Sequence, residues 1–127
     1  LNPGGVRLGT AEIYSEVERF KEVKESIVVG QSWDNDVRII LFIVMNTKFY
    51  LTEDLLKKIK FQIKKNASPR HVPSKIIEVK DIPRTKSGKI VELAVKNILD
   101  GNNIKNKEAL ANPEALKQFK NLKELSN

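Results

Sequence analysis

Ser26-Ile27-Val28-Val29-Gly30-Gln31-Ser32-Trp33-Asp34-Asn35-Asp36-Val37-Arg38-Ile39-Ile40-Leu41-Phe42-Ile43-Val44-Met45 holds two runs rich in valine and isoleucine on either side of a short polar turn. β-Branched residues fit the pleated surface of a sheet, and Asn and Asp supply turn chemistry. The stretch therefore predicts an antiparallel pair with strands over 26–31 and 37–45. The second run is apolar at consecutive positions and not only at alternate ones, so both of its faces meet a core and it belongs in the middle of the sheet.

Upstream, Ile13, Val17 and Phe20 recur at helical spacing, with Thr10 available as N-cap. The acids Glu12, Glu16 and Glu18 are read as the solvated face of that helix. Before it, Asn2-Pro3-Gly4-Gly5 has the composition of a turn, and a short strand over 6–8 could follow. Downstream, Thr52 begins a second helix in which Leu55, Leu56, Ile59 and Ile63 share a face. Glu53 and Asp54 suit the positive end of its dipole, and Lys64 and Lys65 the negative end. Ser68-Pro69-Arg70-His71-Val72-Pro73 cannot continue that helix, and a further strand follows over 75–79.

The order β-α-β-β-α-β predicts an α+β domain: a small antiparallel or mixed sheet with helices packed on it. After a polar loop over 81–89, the positions of Val91, Ala94, Val95, Ile98 and Leu99 predict a third helix ending at Gly101. Asn112-Pro113 opens a fourth, short helix through Leu116 and Phe119. The division is residues 1–100 as one domain and 101–127 as a helical C-terminal extension of it.

A chain of 127 residues with 40% hydrophobic side chains can bury one modest core, which sets the expectation at one domain. It starts at Leu1 and its only methionine is Met45, so the expectation is a piece of a longer protein. The absence of cysteine removes disulfides, thiolate metal sites and cysteine nucleophiles, and fits a reducing, cytoplasmic setting. No apolar stretch approaches the length needed to span a bilayer, and no membrane partner is expected. The 23 basic and 16 acidic residues leave a net charge of +7, which would attract phosphorylated ligands, nucleic acid or an anionic membrane, and charge does not decide among them. A basic RNA-binding sheet is the rival from another class. Phe42 stands in the central run without the aromatic signature of such sheets, so no nucleic-acid partner is expected.

Pro83-Arg84-Thr85-Lys86-Ser87-Gly88-Lys89 is a small, basic loop between a strand and a helix. A phosphate-handling role fits its chemistry. Glycine permits close backbone approach, hydroxyls form hydrogen bonds, and lysine brings a mobile charge. Composition alone leaves a solvated connector open beside that reading. A Walker A loop is excluded, because the first glycine is missing and Ile90 stands where the metal-binding hydroxyl would be. His71 is the only histidine, so no two-histidine metal site can form and the residue is read as structural. Ser68, Ser74 and Ser87 carry no nucleophile signature.

The opening Leu1-Asn2-Pro3-Gly4-Gly5-Val6-Arg7-Leu8-Gly9-Thr10-Ala11-Glu12-Ile13 resembles the motif that begins the C-terminal domain of the AMP-forming acyl-CoA synthetase, adenylation-domain and luciferase superfamily. Pro83 to Lys89 resembles the P-x-T-x-S-G-K motif of the same superfamily. Asn2 to Tyr14, Ser68 to Pro73, Glu92 to Lys96 and the Asn-Pro-Glu-Ala-Leu that starts at Asn112 resemble its acetoacetate-activating branch, with a synthetase for another short or medium acid as the alternative.

The resemblance implies a two-step ligase. A carboxylate attacks the α-phosphate of ATP, which enters with Mg2+ as substrate, and the CoA thiol then displaces AMP from the acyl-adenylate. It implies that residues 1–100 are the mobile lid of that enzyme, working against an N-terminal domain with acetoacetate, ATP and CoA as partners. Lys89 matches the adenylation lysine, the residue whose charge an acylation would remove. Thr85, Ser87 and Gly88 match the loop that supports it. Arg7 matches an arginine approaching the nucleotide phosphate. Gly4 and Gly5 match the CoA passage, and Lys64 a basic position that meets CoA phosphate. No metal ligand is implied within the chain, and the chain by itself is expected to be inactive and to hold no cofactor.

Overall fold

A computed structural model of the chain describes residues 9–87, 91–102, 110–120 and 122–125. β1 (Val23–Trp33) and β2 (Asp36–Met45) form the expected antiparallel pair, with Ile27 facing Phe42, Val29 facing Ile40, and Trp33 facing Asp36 across the turn. Asp34 at φ 51° and Asn35 at φ 60° both occupy the left-handed region. That is the dihedral pair of a type I′ turn, whose twist matches the strands it joins. β3 (Lys75–Glu78) lies parallel to β2 on its other side, so the order is β1-β2-β3 and the sheet is mixed. A parallel neighbour requires a crossover, and α2 (Glu53–Asn66) supplies it. The expected strand over 6–8 lies outside the described residues.

Alternation along β2 splits its apolar side chains between two cores. Ile39, Leu41 and Ile43 join Val28 and Ile76 under α1 (Ala11–Val17) and α2, which contribute Ile13, Val17, Leu55, Ile59 and Ile63. Ile40, Phe42 and Val44 join Ile27, Val29 and Ile77 on the opposite face. There α3 (Glu92–Leu99) contributes Val95, and the C-terminal segment contributes Phe119 and Leu125. The rings of Phe42 and Phe119 meet edge to face, with centroids 4.8 Å apart and an interplanar angle of 83°. This explains the continuous apolar run, because β2 is covered on both sides by helical segments.

The helix ends follow the expected chemistry with one exception. Thr52 is extended and its hydroxyl accepts the Leu55 N–H at 3.1 Å, a working N-cap. α3 ends at a Gly101 with φ 78°, where the Asn102 N–H reaches the Asn97 carbonyl at 2.8 Å and the Gly101 N–H reaches the Ile98 carbonyl at 3.1 Å, a Schellman closure. Thr10 is the exception. Its backbone is already helical, with φ −92° and ψ −14°, and its side chain makes no capping bond. The short helix expected after Asn112 is present as a 3₁₀ helix over Pro113–Phe119.

Glu16 also departs from the expected solvated face. It is buried against α2, where its Oε1 accepts Asn66 Nδ2 at 2.9 Å and Gln62 Nε2 at 3.3 Å, with Arg19 at 3.8 Å. The carboxylate points at the neighbouring helix because α1 packs there, and three polar partners compensate for the burial.

Candidate functional site

The basic loop leaves the sheet through Val79, whose N–H donates to the Ile43 carbonyl at 2.9 Å, and through the fully buried Ile82. From Asp81 onward both strands of the loop are tied down. The Val91 N–H donates to the Pro83 carbonyl at 3.2 Å, closing its neck. The Arg84 carbonyl accepts the Ala111 N–H at 2.8 Å, and Thr85 bridges to Leu110. The Arg84 side chain pairs with Glu25 of β1 and with Asp81 at 3.7 Å.

Within the loop, the Thr85 and Ser87 hydroxyls lie 2.9 Å apart and exposed, so the structure brings together these two of the predicted support residues. Lys86 is exposed beside them. Leu93, on the first turn of α3, is 67% exposed. Gly88 and Lys89, and with them Gly4, Gly5 and Arg7, lie outside the described residues. Lys64 does not join the loop. It is exposed on the last turn of α2, which covers the sheet face opposite α3, and has no ion-pair partner among the described residues.

The start of α3 is anchored from the far side of the molecule. The Tyr14 hydroxyl donates to Glu92 Oε1 at 2.9 Å and accepts the Val28 N–H at 2.9 Å. Burial pushes the Tyr14 phenol above its ordinary pKa; the Val28 N–H opposes this, and the Glu92 charge adds to it. Farther along, Lys96 Nζ reaches the Gly30 carbonyl at 3.0 Å and Asp100 at 2.7 Å, and Asp100 Oδ1 accepts the Ser32 N–H at 2.9 Å. Burial alone would raise the Asp100 carboxyl, but its bonds from Lys96 and Ser32 outweigh burial and hold it below the ordinary carboxylate range. Side chains from α1 and α3 thus satisfy successive backbone groups along the outer side of β1.

His71 is largely buried, with Nδ1 at 2.6 Å from Ser68 Oγ and Nε2 at 4.0 Å from Glu12. These contacts tie the turn after α2 to the first turn of α1, in keeping with a structural histidine. Among the described residues no cluster of three or more His, Asp or Glu side chains could hold a metal ion. No described helix is long and apolar enough to cross a membrane.

A small α+β domain built on a mixed sheet, with a basic loop sequence between β3 and α3, matches a known family, the AMP-binding enzyme C-terminal domain, over residues 12–89. The chain belongs to that family. Among its relatives, the domain is 60% identical over 127 residues to acetoacetyl-coenzyme A synthetase of Rhizobium meliloti (strain 1021), covering 100% of this chain and 20% of the relative. It is 48% identical to acetoacetyl-CoA synthetase of Xenopus tropicalis, covering 100% of this chain and 19% of the relative. Among solved structures, acetoacetyl-CoA synthetase from Streptomyces lividans superposes with a TM-score of 0.82 at 38% identity, covering 90% of this chain and 18% of that one. The domain therefore spans about a fifth of the length of the curated relatives it matches.

The bracing contacts of Tyr14, Glu25 and Glu92 were not legible in the sequence. Each acts on a partner remote in the chain, so even Tyr14 and Glu92, which lie in stretches that carry the family resemblance, give no local sign of the contact.

Proposed function

We propose that this domain is the C-terminal lid of an AMP-forming acetoacetate–CoA ligase, with residues 1–100 as the moving body and 101–127 as a helical extension of it. The similarity over the full 127 residues to acetoacetyl-coenzyme A synthetase carries the reading. The partners would be an N-terminal domain of the same protein, acetoacetate, ATP with Mg2+, and CoA, in a cytoplasmic setting.

Adenylation brings a carboxylate against the α-phosphate, two anions that repel each other. The Lys89 ammonium neutralises both, holds them in line and stabilises the charge that develops as pyrophosphate leaves. Thr85, Ser87 and Gly88 shape the loop that delivers it. Arg7 offers a planar, permanently charged fork to the nucleotide phosphate. After the adenylate forms, rotation of the lid withdraws the Lys89 loop and turns the face carrying Gly4 and Gly5 toward the thiol. Small residues there leave room for a narrow pantetheine passage.

The test is Lys89→Ala in the full-length ligase, with the two half-reactions measured separately. Loss of acetoacetate-dependent pyrophosphate exchange, with thioester formation from supplied acyl-adenylate retained, is the expected result. Equal survival of both half-reactions would make the loop structural and overturn the assignment.

A further inference from the structure

The segment that leads into the basic loop is held by the C-terminal extension. Asn112 uses its whole side-chain amide there: Oδ1 accepts the Arg84 N–H at 2.8 Å, and Nδ2 donates to Asp81 Oδ2 and to the Ile82 carbonyl, both at 2.8 Å. Asn112 precedes a 3₁₀ turn it could have capped, yet it makes no capping bond. Gln118 repeats the arrangement two turns later, accepting the Lys80 N–H at 2.8 Å and donating to the Asp81 carbonyl at 2.6 Å. With the Ala111 N–H on the Arg84 carbonyl, the extension binds the backbone of residues 80–84 almost continuously.

Arg84 adds a second brace, because its guanidinium is held between Glu25 and Asp81. An arginine inside a basic, phosphate-handling loop invites reading as a phosphate ligand. Here two carboxylates already neutralise it, and a third anion would have to displace them. Lys89 lies in the sequence between the Arg84 anchor and the Val91 neck.

Resting on the function proposed above, we infer that Asn112 and Arg84 are positioning residues for the Lys89 loop, so that the C-terminal extension acts as a splint for adenylation. Neither touches the reacting atoms. They fix the backbone from which Lys89 must reach two anions at once, and a displacement on the order of 1 Å in such a constellation costs about a hundredfold in rate.

The experiment compares Asn112→Ala, Arg84→Lys and Lys89→Ala in the full-length ligase. For Asn112→Ala, kcat for acetoacetate-dependent pyrophosphate exchange is expected to fall about tenfold to a hundredfold. KM for ATP should stay within about twofold, and thioester formation from supplied acyl-adenylate should be unchanged. Arg84→Lys, which keeps the charge but loses the planar fork, should fall in the same direction by less. A parallel loss of both half-reactions would reduce the contacts to fold stability, and unaltered exchange would also overturn the inference. An Arg84→Lys enzyme with raised KM for ATP and unchanged kcat would make Arg84 a phosphate ligand instead. Lys89→Ala separates the two levels. If it abolishes exchange while Asn112→Ala does not, the splint fails and the proposed function stands; if it leaves exchange intact, both fail. Should Asn112→Ala not fold, Asn112→Asp carries the same test, since it keeps the acceptor for Arg84 and loses both donors.

Discussion

Tyr14 of α1 and Glu92 of α3 meet at 2.9 Å although 78 positions separate them, and the same phenol oxygen accepts the Val28 N–H. One side chain thus joins the first helix, the outer strand and the helix that follows the basic loop. Tyr14→Phe keeps the ring and removes both bonds, leaving a partly buried amide without its partner. The expected loss is about 1–2 kcal/mol, read from urea denaturation. Glu92→Gln, which alters only the exposed bond, should cost less. Because burial and the Glu92 carboxylate raise the phenol, the unfolded chain releases its proton first as pH rises past the ordinary tyrosine value of about 10. Stability should therefore fall more steeply with alkaline pH in the parent than in Tyr14→Phe.

Asp100 works in the opposite direction on the pH scale. Its folded pKa is depressed below 3.8, so its contribution is present in full above that value and is lost as pH falls through the folded pKa. Acid titration of stability should show a shallower decline below about pH 4 in Asp100→Asn than in the parent. At neutral pH the same substitution should cost about 1–3 kcal/mol, because it weakens the hold on Lys96 and Ser32. An identical acid profile in both proteins would assign the low-pH loss to other carboxylates.

Much of the sheet was legible because hydrophobic period and turn chemistry agree: the Asp34-Asn35 turn, the two-sided apolar run of β2 and the Thr52 cap each announce themselves locally. What stayed hidden depends on packing between distant elements. Glu16 sits on a helix whose exposed face cannot be known until α2 is placed, and no local pattern marks a buried carboxylate with amide partners at Gln62 and Asn66. Asn112 reads as a helix start by composition, because Asn before Pro favours that role, but its side chain is drawn to the Asp81 to Arg84 backbone instead. The loop itself was visible as chemistry, whereas the bracing by Arg84 and Asn112 was not, since a motif records which residues stand together in sequence and not the remote partners they hold.

The C-terminal extension packs with the rest of the domain through Phe119, which is 1% exposed and stands edge to face on Phe42. Phe119→Ala should destabilise the domain by about 3–5 kcal/mol, with a single cooperative transition retained. An effect below about 1 kcal/mol would instead describe an appendage that folds apart from the sheet, well short of the usual loss for a buried phenylalanine.

Under the ligase function proposed above, Lys64 offers the sharpest check on the second half-reaction. It is exposed at the end of α2, on the sheet face opposite α3, so a pose that brings α3 and its loop to the nucleotide need not engage it. If rotation of the lid carries α2 toward CoA, Lys64 adds one solvent-exposed charge contact, an interaction of about 0.5–1 kcal/mol. Lys64→Ala in the full-length ligase should then raise KM for CoA about twofold to fivefold and leave acetoacetate-dependent pyrophosphate exchange untouched. The effect should shrink as salt is added, because an exposed pair is screened within about 10 Å at 0.1 M ionic strength. An unchanged KM for CoA at low salt would return Lys64 to the solvated surface of α2 and leave CoA phosphate to groups elsewhere in the enzyme.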